Sequence, residues 1–166
     1  MSKTGEIVIL GSGSTAFAAA LRAKERGARS IMIERSVLGG TCINWGCIPS
    51  KTLIHCALFR HEAELGERLG LGVRHDGVDY ATLDGHKFAV VQELRQKKYL
   101  DVLAQLPELS LIKGKAVFVA PGKVQVEGRI IENERILIAT GGHPRVPKIP
   151  GLEHTPHLTS KSALLL

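Results

Sequence analysis

The first fifty residues alternate between short apolar runs and helical periodicity. The apolar run at Glu6–Leu10 predicts a strand, and a Gly-Ser-Gly loop follows it. The pattern over Thr15–Arg26 is helical and ends at Gly27, a suitable left-handed residue after a helix. Ser30–Glu34 predicts a second strand. This order of strand, loop, helix and strand is typical of an α/β fold.

The remainder of the chain holds two long helical stretches and then several short β-like runs. A helix is predicted from about Gly46 to Leu69, a loop rich in glycine and aspartate over Gly66–Asp84, and a second helix over Phe88–Leu106. The predicted strands that follow are Leu109–Lys113, Ala116–Val119, Lys123–Val126, Arg129–Ile131 and Arg135–Ala139.

These elements predict a Rossmann-like α/β domain. We expect a parallel sheet containing Ile7–Leu10, Ser30–Ile33 and Arg135–Ala139, with a small β-meander over residues 116–131 beside it. Residues 1–145 form the predicted domain, and residues 146–166 a predicted extended linker, since the tail from Gly141 holds four of the seven prolines. The apolar run at 164–166 leads us to expect that the chain continues in a longer protein.

Composition and charge disfavour several classes of protein. The 166 residues are 44% hydrophobic, which is enough for a core, and their net charge is +6. The basic residues are scattered and no aromatics are interleaved with them, so we interpret the charge as a solvated surface rather than a nucleic-acid site. No segment is long enough to span a membrane and the first residues do not form a signal peptide, so we expect a cytoplasmic protein without a membrane partner.

The loop between the first predicted strand and helix has the form G-x-G-x-x-A. Gly11 permits the tight turn, Gly13 lets a pyrophosphate approach the backbone, and the small Ala16 lets the helix pack close to the strand. Ser14 and Thr15 follow at the helix N-terminus, where unpaired N–H groups and the helix dipole favour anions. The motif predicts a dinucleotide site, and by itself it does not distinguish FAD from NAD.

A carboxylate follows these glycines at the expected spacing. Glu34 ends the second predicted strand 23 residues after Gly11, near the position where an acid accepts hydrogen bonds from ribose hydroxyls. Arg35 comes next and is included in the predicted cofactor site. An acid at this position suits an unphosphorylated adenosine ribose.

Two of the three cysteines, Cys42 and Cys47, lie five residues apart. In a reducing compartment such a pair is more often catalytic or metal-binding than structural. No second C-x-x-C or C-x-x-H accompanies the pair, which disfavours a structural metal site. Five helical residues rise about 7.5 Å, whereas a disulfide spans up to about 6.8 Å between Cα atoms. The segment must therefore depart from a regular helix if the pair bonds. The third cysteine, Cys56, is interpreted as a buried small residue of the following helix.

The residues around the pair resemble a long family signature. Residues 39–51 read Gly-Gly-Thr-Cys-Ile-Asn-Trp-Gly-Cys-Ile-Pro-Ser-Lys. They are similar to the G-G-T-C-x-N-x-G-C-x-P-S-K signature of the flavoprotein disulfide oxidoreductases, the family of dihydrolipoamide dehydrogenase, glutathione reductase and mercuric reductase. The resemblance implies an FAD-binding domain over residues 1–145, with Gly40, Thr41 and Gly46 at the cofactor.

The same resemblance implies separate roles for the two sulfurs. Cys47 is the sulfur next to the flavin and forms the charge-transfer thiolate, while Cys42 is the outer sulfur that attacks the substrate. Lys51 lies near flavin N5 and on the same helix face as Cys47, since residues four apart are neighbours. A cation near Cys47 favours the thiolate.

Two further segments resemble the FAD site of this family. Residues 136–142 are similar to the strand and A-T-G turn that closes the site, which assigns Thr140 and Gly141 to the cofactor. Lys115-Ala116 matches the place where the family's backbone meets the adenine ring, so Ala116 is also included.

The resemblance covers roughly Glu6 to Ala163, which corresponds to the first part of a family member. Family enzymes continue into an NAD(P)H domain, a segment that completes the FAD site and a dimerisation domain. The resemblance therefore implies NADPH as a second cofactor and a homodimer for the intact enzyme. Residues 1–166 alone are expected to be inactive.

Residues 93–99 and 147–163 are more similar to the mercuric reductase branch than to the lipoamide or glutathione enzymes. This similarity implies electron transfer from NADPH through FAD and the Cys42–Cys47 pair to Hg(II), a soft ion that the two thiolates bind transiently. Two alternatives stay open: a dihydrolipoamide dehydrogenase-like enzyme acting on a small disulfide, and a non-catalytic FAD-binding fragment.

Overall fold

The computed structural model describes residues 5–74 and 76–166. These residues form six α-helices and seven strands, together with a π-helical turn at Gln96–Leu100 and a 3₁₀ turn at Leu152–His154. The elements are β1 (Glu6–Leu10), α1 (Ser14–Glu25), β2 (Arg29–Glu34), α2 (Gly40–Trp45), α3 (Cys47–Arg68), α4 (Tyr80–Arg95), α5 (Asp101–Ala104), β3 (Leu109–Lys113), β4 (Val117–Ala120), β5 (Lys123–Val126), β6 (Arg129–Glu132), β7 (Ile136–Ile138) and α6 (Ser160–Ala163).

Four strands form a parallel sheet in the order β3-β2-β1-β7. Strand β1 lies in the middle, where Val8 is opposite Ile31 of β2 and Ile136 of β7. The predicted parallel sheet is confirmed, and β3, which was predicted as a strand without a place in this sheet, forms its edge beside β2. A right-handed strand–helix–strand crossover is the usual way to connect such parallel neighbours.

Strands β4, β5 and β6 form a separate antiparallel meander, as predicted. The turn between β5 and β6 consists of Glu127 and Gly128, both with positive φ, at 46° and 76°. Two central residues with positive φ match the right-handed twist of a hairpin, which explains the tight reversal here.

The chain forms two compact units. The first contains Met1–Cys42 and Arg95–His143, and therefore both sheets. Its core joins the parallel sheet to the meander, because residues from β1, β2 and β5 pack in one buried cluster. Helix α1 buries Ala16 and Ala20, whose small side chains allow close approach to the sheet, together with Phe17. The cluster consists of Val8, Leu10, Ile33, Val124 and Val126.

The second unit contains Ile43–Leu94 and Pro144–Leu166. Its tail was predicted as an extended linker, but part of the tail is helical: Thr159 caps α6 through a reciprocal capping box with Ser162. The buried ammonium group of Lys87 forms an ion pair with Asp84 and donates to the carbonyl oxygen of Leu164 at 2.9 Å. This hydrogen bond fixes the position of the tail within the unit.

Helix α4 begins at Tyr80, eight residues before the predicted start at Phe88. The side chain of Asp79 accepts hydrogen bonds from the backbone N–H groups of Ala81 and Thr82, which makes Asp79 the N-cap. The hydroxyl of Thr82 also donates to Asp79, and this bond lowers the pKa of the carboxyl below 3.8. The predicted loop over residues 66–84 is wrong at its end because the capping aspartate was interpreted as a loop residue.

Candidate functional site

The first glycine of the G-x-G loop is required by the fold itself. Gly11 has a φ of +105°, and a Cβ atom there would lie 2.3 Å from the carbonyl oxygen of Ala139. Its N–H donates to the carbonyl oxygen of Ile33 at 2.8 Å, so the loop is held between β2 and the end of β7. No side chain can be placed at this position without moving the backbone.

The fold does not require glycine at the second glycine position of the loop, Gly13. Gly13 has a φ of −77°, which any residue adopts, and an added Cβ would make an ordinary 3.8 Å contact with Cα of Gly40. Gly40, in contrast, has a φ of +67°, and its Cβ would lie 2.8 Å from Cα of Gly13. The loop and the start of the cysteine segment therefore meet backbone to backbone, and the room left at Gly13 suits a ligand.

Helix α1 presents an uncapped N-terminus at this loop. Gly13 is its N-cap and provides no side-chain hydrogen bond, so the first N–H groups are left for another acceptor. Ser14 and Thr15 are exposed there, whereas Ala16 is buried against the sheet. The first turn contains no acidic residue, which keeps the site favourable for an anion such as pyrophosphate.

Glu34 is held in place at the end of β2 by two hydrogen bonds. The Ser12 hydroxyl donates to one carboxylate oxygen at 2.6 Å, and the N–H of Ser36 donates to the other at 2.7 Å. A carboxylate has about four acceptor positions, so Glu34 retains capacity for ribose hydroxyls. The predicted Arg35 lies next to it and is exposed. Ser12 is buried and was not among the predicted site residues, since its place between the two glycines is the one signal in the sequence that marks it.

The two outlying predicted segments lie in the same unit as the glycine loop. The A-T-G turn reaches the loop directly, since a Cβ atom at Gly11 would lie 3.3 Å from Cα of Thr140. Gly141 follows with a φ of +67°. Ala116 is half-buried against the core cluster, in the connection between β3 and β4. The structure thus brings Thr140 to the glycine loop.

The cysteine segment departs from a regular helix, which is the condition that its spacing sets for a disulfide. Helix α2 ends at Trp45, Gly46 has a φ of −135° and a ψ of −114°, and α3 begins at Cys47. The hydroxyl of Ser50 donates to the carbonyl oxygen of Gly46 at 2.7 Å, which stabilises this first turn.

All three cysteines lie in the described part of the chain, and each carries a thiol rather than a disulfide. Cys42 and Thr41 are exposed on α2, and Cys47 is exposed as the first residue of α3. Lys51 is also exposed, one helical turn after Cys47. The pairing of the two cysteines stays a prediction. Cys56 is only half-buried, so the expectation of a buried residue is wrong.

Tyr99 is a site residue that sequence analysis did not identify. It lies in the π-helical turn, is buried, and meets the ring of Phe17 edge to face with centroids 4.9 Å apart. Burial raises the pKa of the Tyr99 phenol, and the charge of the Cys42 thiolate raises it further. The phenol is therefore close enough to Cys42 to sense its ionisation, a proximity that no local sequence pattern indicates.

The described residues contain neither a preformed metal cluster nor a membrane-spanning helix. Among residues 5–74 and 76–166, no group of three or more His, Cys, Asp or Glu side chains is arranged to hold a metal ion. In the same residues, no helix is both long and apolar enough to cross a bilayer.

Comparisons with known proteins agree on one family. The family described as pyridine nucleotide-disulphide oxidoreductase matches residues 5–166. A mercuric reductase of Staphylococcus aureus is 41% identical over 161 residues, which cover 97% of this chain and 29% of the relative. A mercuric reductase of Shigella flexneri is 40% identical over 96% of this chain and 29% of its own length. The chain thus spans less than a third of these relatives.

Solved structures show the same relationship at the level of the fold. The HOCl-induced flavoprotein disulfide reductase RclA from Escherichia coli is 34% identical and superimposes with a TM-score of 0.75. The superposition covers 97% of this chain and 34% of RclA.

The first prediction concerns the pKa of Tyr99. The folded-state pKa is raised above the ordinary 10.0, so the unfolded chain loses this proton first as the pH rises. The protonated Tyr99 phenol therefore contributes fully to the free energy of unfolding below pH 10.0. This contribution is lost as the pH rises through the pKa of Tyr99 in the folded chain. Cys42→Ser should move the tyrosinate absorbance step of Tyr99 to lower pH, and Tyr99→Phe should remove that step.

The matched control is Tyr80→Phe, which changes the other, exposed tyrosine and should leave the Tyr99 step in place. A Tyr99 midpoint that Cys42→Ser does not move would contradict the proximity of the two groups.

Proposed function

The chain belongs to the pyridine nucleotide-disulphide oxidoreductase family, and on that premise we propose that it forms the FAD side of a flavin-dependent reductase. The observation that carries the proposal is the backbone approach of Gly40 to Gly13. It joins the predicted phosphate-binding loop to the start of the segment that bears the thiols. A dinucleotide held at the loop therefore lies beside the chain that leads to Cys42.

We propose a distinct task for each residue group at the cofactor. The backbone at Gly13, Ser14 and Thr15 receives the pyrophosphate at the N-terminus of α1. Glu34, oriented by Ser12, accepts from the adenosine ribose. Further contacts are assigned to Gly11, Ala16, Arg35, Gly40, Thr41, Gly46, Lys51, Ala116, Thr140 and Gly141.

When bound, FAD supplies a carrier that accepts electrons from a nicotinamide and passes them to thiols. We assign separate roles to the two thiols, Cys42 and Cys47. Cys47, at the first turn of α3 with Lys51 one turn later, is the sulfur on the flavin side. Cys42, exposed on α2, attacks the substrate. The buried phenol of Tyr99, whose pKa is raised, keeps its proton at neutral pH.

The substrate we favour is Hg(II). The relatives named above are mercuric reductases at about 40% identity over nearly the whole chain. Thiolates are soft ligands, so Cys42 and Cys47 together suit a soft divalent ion that is bound transiently and reduced. A small disulfide is the second candidate, favoured by the likeness to a flavoprotein disulfide reductase. A dihydrolipoamide dehydrogenase-like activity falls within this second candidate.

The relatives are more than three times as long as this chain, which covers 29% of them. For the intact protein we propose an FAD-binding domain over residues 1–145 and a connection over residues 146–166 to an NADPH-binding domain. We also propose a homodimer, in keeping with the family.

The second prediction separates the roles of the two sulfurs in the full-length protein. After anaerobic two-electron reduction, Cys47→Ser should abolish the long-wavelength charge-transfer absorbance, because the thiolate beside the flavin is gone. Cys42→Ser should retain this absorbance and lose thiol–disulfide exchange with substrate. Cys56→Ser serves as the control, with both properties kept. The opposite pattern in the first two variants would reverse the assignment.

The third prediction concerns residues 1–166 alone. The chain supplies one side of the flavin site, so FAD should bind weakly and exchange readily. NADPH-dependent reduction of Hg(II) should then be negligible, because the hydride donor has no site in the family segment that this chain matches. The assay is anaerobic with added FAD and follows NADPH loss and volatilised mercury.

The full-length protein under the same conditions is the positive control. Turnover by residues 1–166 at a rate similar to that of the full-length protein would contradict the proposal that the NADPH site lies outside these residues. Saturable FAD binding without turnover would support it.

A further inference from the structure

A cleft of about 630 Å³ lies between α3 and α4 in the second unit. Ligand pockets in proteins commonly fall between about 300 and 1,000 Å³, so the cleft has the size of a small-molecule site. None of the residues assigned to FAD or to the redox pair lines it.

One wall of the cleft combines a thiol with a cation. Cys56 and Arg60 are four residues apart on α3 and therefore share a face of the helix. Cys56 is half-buried, and its thiol is not part of a disulfide. The Nε atom of Arg60 lies 3.0 Å from the Glu64 carboxylate in a partly exposed ion pair, and an arginine side chain has further N–H donors besides the one at Nε.

The remaining walls are mainly apolar or aromatic. Ala57 lines the cleft on α3, and Val78, Tyr80 and Leu83 line it from the loop before α4 and from α4 itself. Tyr80 is 75% exposed, which leaves its ring accessible for stacking at the rim. A ligand that fits this lining has a flat apolar body and one negative charge.

We propose that this cleft is a second thiol site, which binds small aromatic anions and forms a covalent bond to Cys56 when the anion carries a disulfide. Arg60 receives the carboxylate of the anion, and the apolar walls receive the ring. The Cys56 thiolate attacks one sulfur of the ligand disulfide after losing its proton to solvent. A new sulfur–sulfur bond forms, the ligand disulfide breaks, and the other half leaves as a thiolate. The ligand itself is the oxidant.

The test uses the Cys42→Ser/Cys47→Ser double variant of this chain, in which Cys56 is the one remaining cysteine. Two probes are compared: 5,5′-dithiobis(2-nitrobenzoate), an aromatic disulfide with carboxylates, and 2,2′-dithiodipyridine, an uncharged aromatic disulfide. Arg60→Gln should slow labelling by the anionic probe about threefold relative to the neutral probe, the size expected for one partly exposed charge. Arg60→Lys should restore most of the rate.

Arg68→Gln is the matched control, because it removes an exposed positive charge from the same helix outside the cleft. It should leave the ratio of the two rates unchanged. Ala57→Leu fills part of the cleft and should slow both probes, with circular dichroism confirming that the variant is folded.

Several results would overturn the proposal. One is an equal loss of anionic labelling in Arg60→Gln and Arg68→Gln, which would reflect net charge alone. Another is labelling of Cys56 no faster than in the urea-unfolded chain. A third is rapid formation of a Cys56-linked dimer, which would identify the face as a contact between copies of the chain.

Discussion

The close approach of two glycines, Gly13 and Gly40, is the constraint on which the site depends. Gly40 adopts a left-handed conformation, and its Cα hydrogens face the backbone of Gly13 where a Cβ would lie 2.8 Å from it. The same loop is fixed on its other side by Gly11, against the carbonyl of Ala139. The glycine loop, the start of the cysteine segment and the A-T-G turn therefore meet around a few residues without side chains.

Much of this arrangement could be predicted because its signals are local. A strand followed by the glycine loop at Gly11 and by a helix with small residues such as Ala16 predicts a strand–helix–strand crossover. In the structure β1 and β2 are indeed parallel neighbours. The cysteine segment carried a local signal too: a disulfide at its spacing would require an interrupted helix, and the helix is interrupted at Gly46. Strand β3 was recognised as a strand, but its place at the sheet edge depends on pairing with distant residues.

The features that escaped prediction arise from contacts between residues far apart in the chain. Ser12 and Glu34 form a hydrogen bond across 22 positions, and Tyr99 packs on Phe17 although the two lie in different segments of the unit. The tail was expected to be extended, yet Lys87 binds the carbonyl of Leu164 across 77 positions. Such contacts depend on tertiary packing, which periodicity and spacing do not report.

We infer that the fold tolerates a side chain at position 13 and that glycine is needed there to let a dinucleotide approach the backbone. FAD binding to residues 1–166, followed by flavin fluorescence, tests it in Gly13→Ala and in the control Gly85→Ala, where an added Cβ on α4 meets nothing within 4 Å. Gly13→Ala should unfold at a urea concentration close to that of the unsubstituted chain, and Gly85→Ala at an equal or somewhat higher one, because alanine favours the helix interior. Gly13→Ala should weaken FAD binding by about tenfold or more, because the methyl group occupies the approach of the pyrophosphate. Gly85→Ala should bind as the unsubstituted chain does. FAD affinity in Gly13→Ala equal to that of the unsubstituted chain would contradict the account.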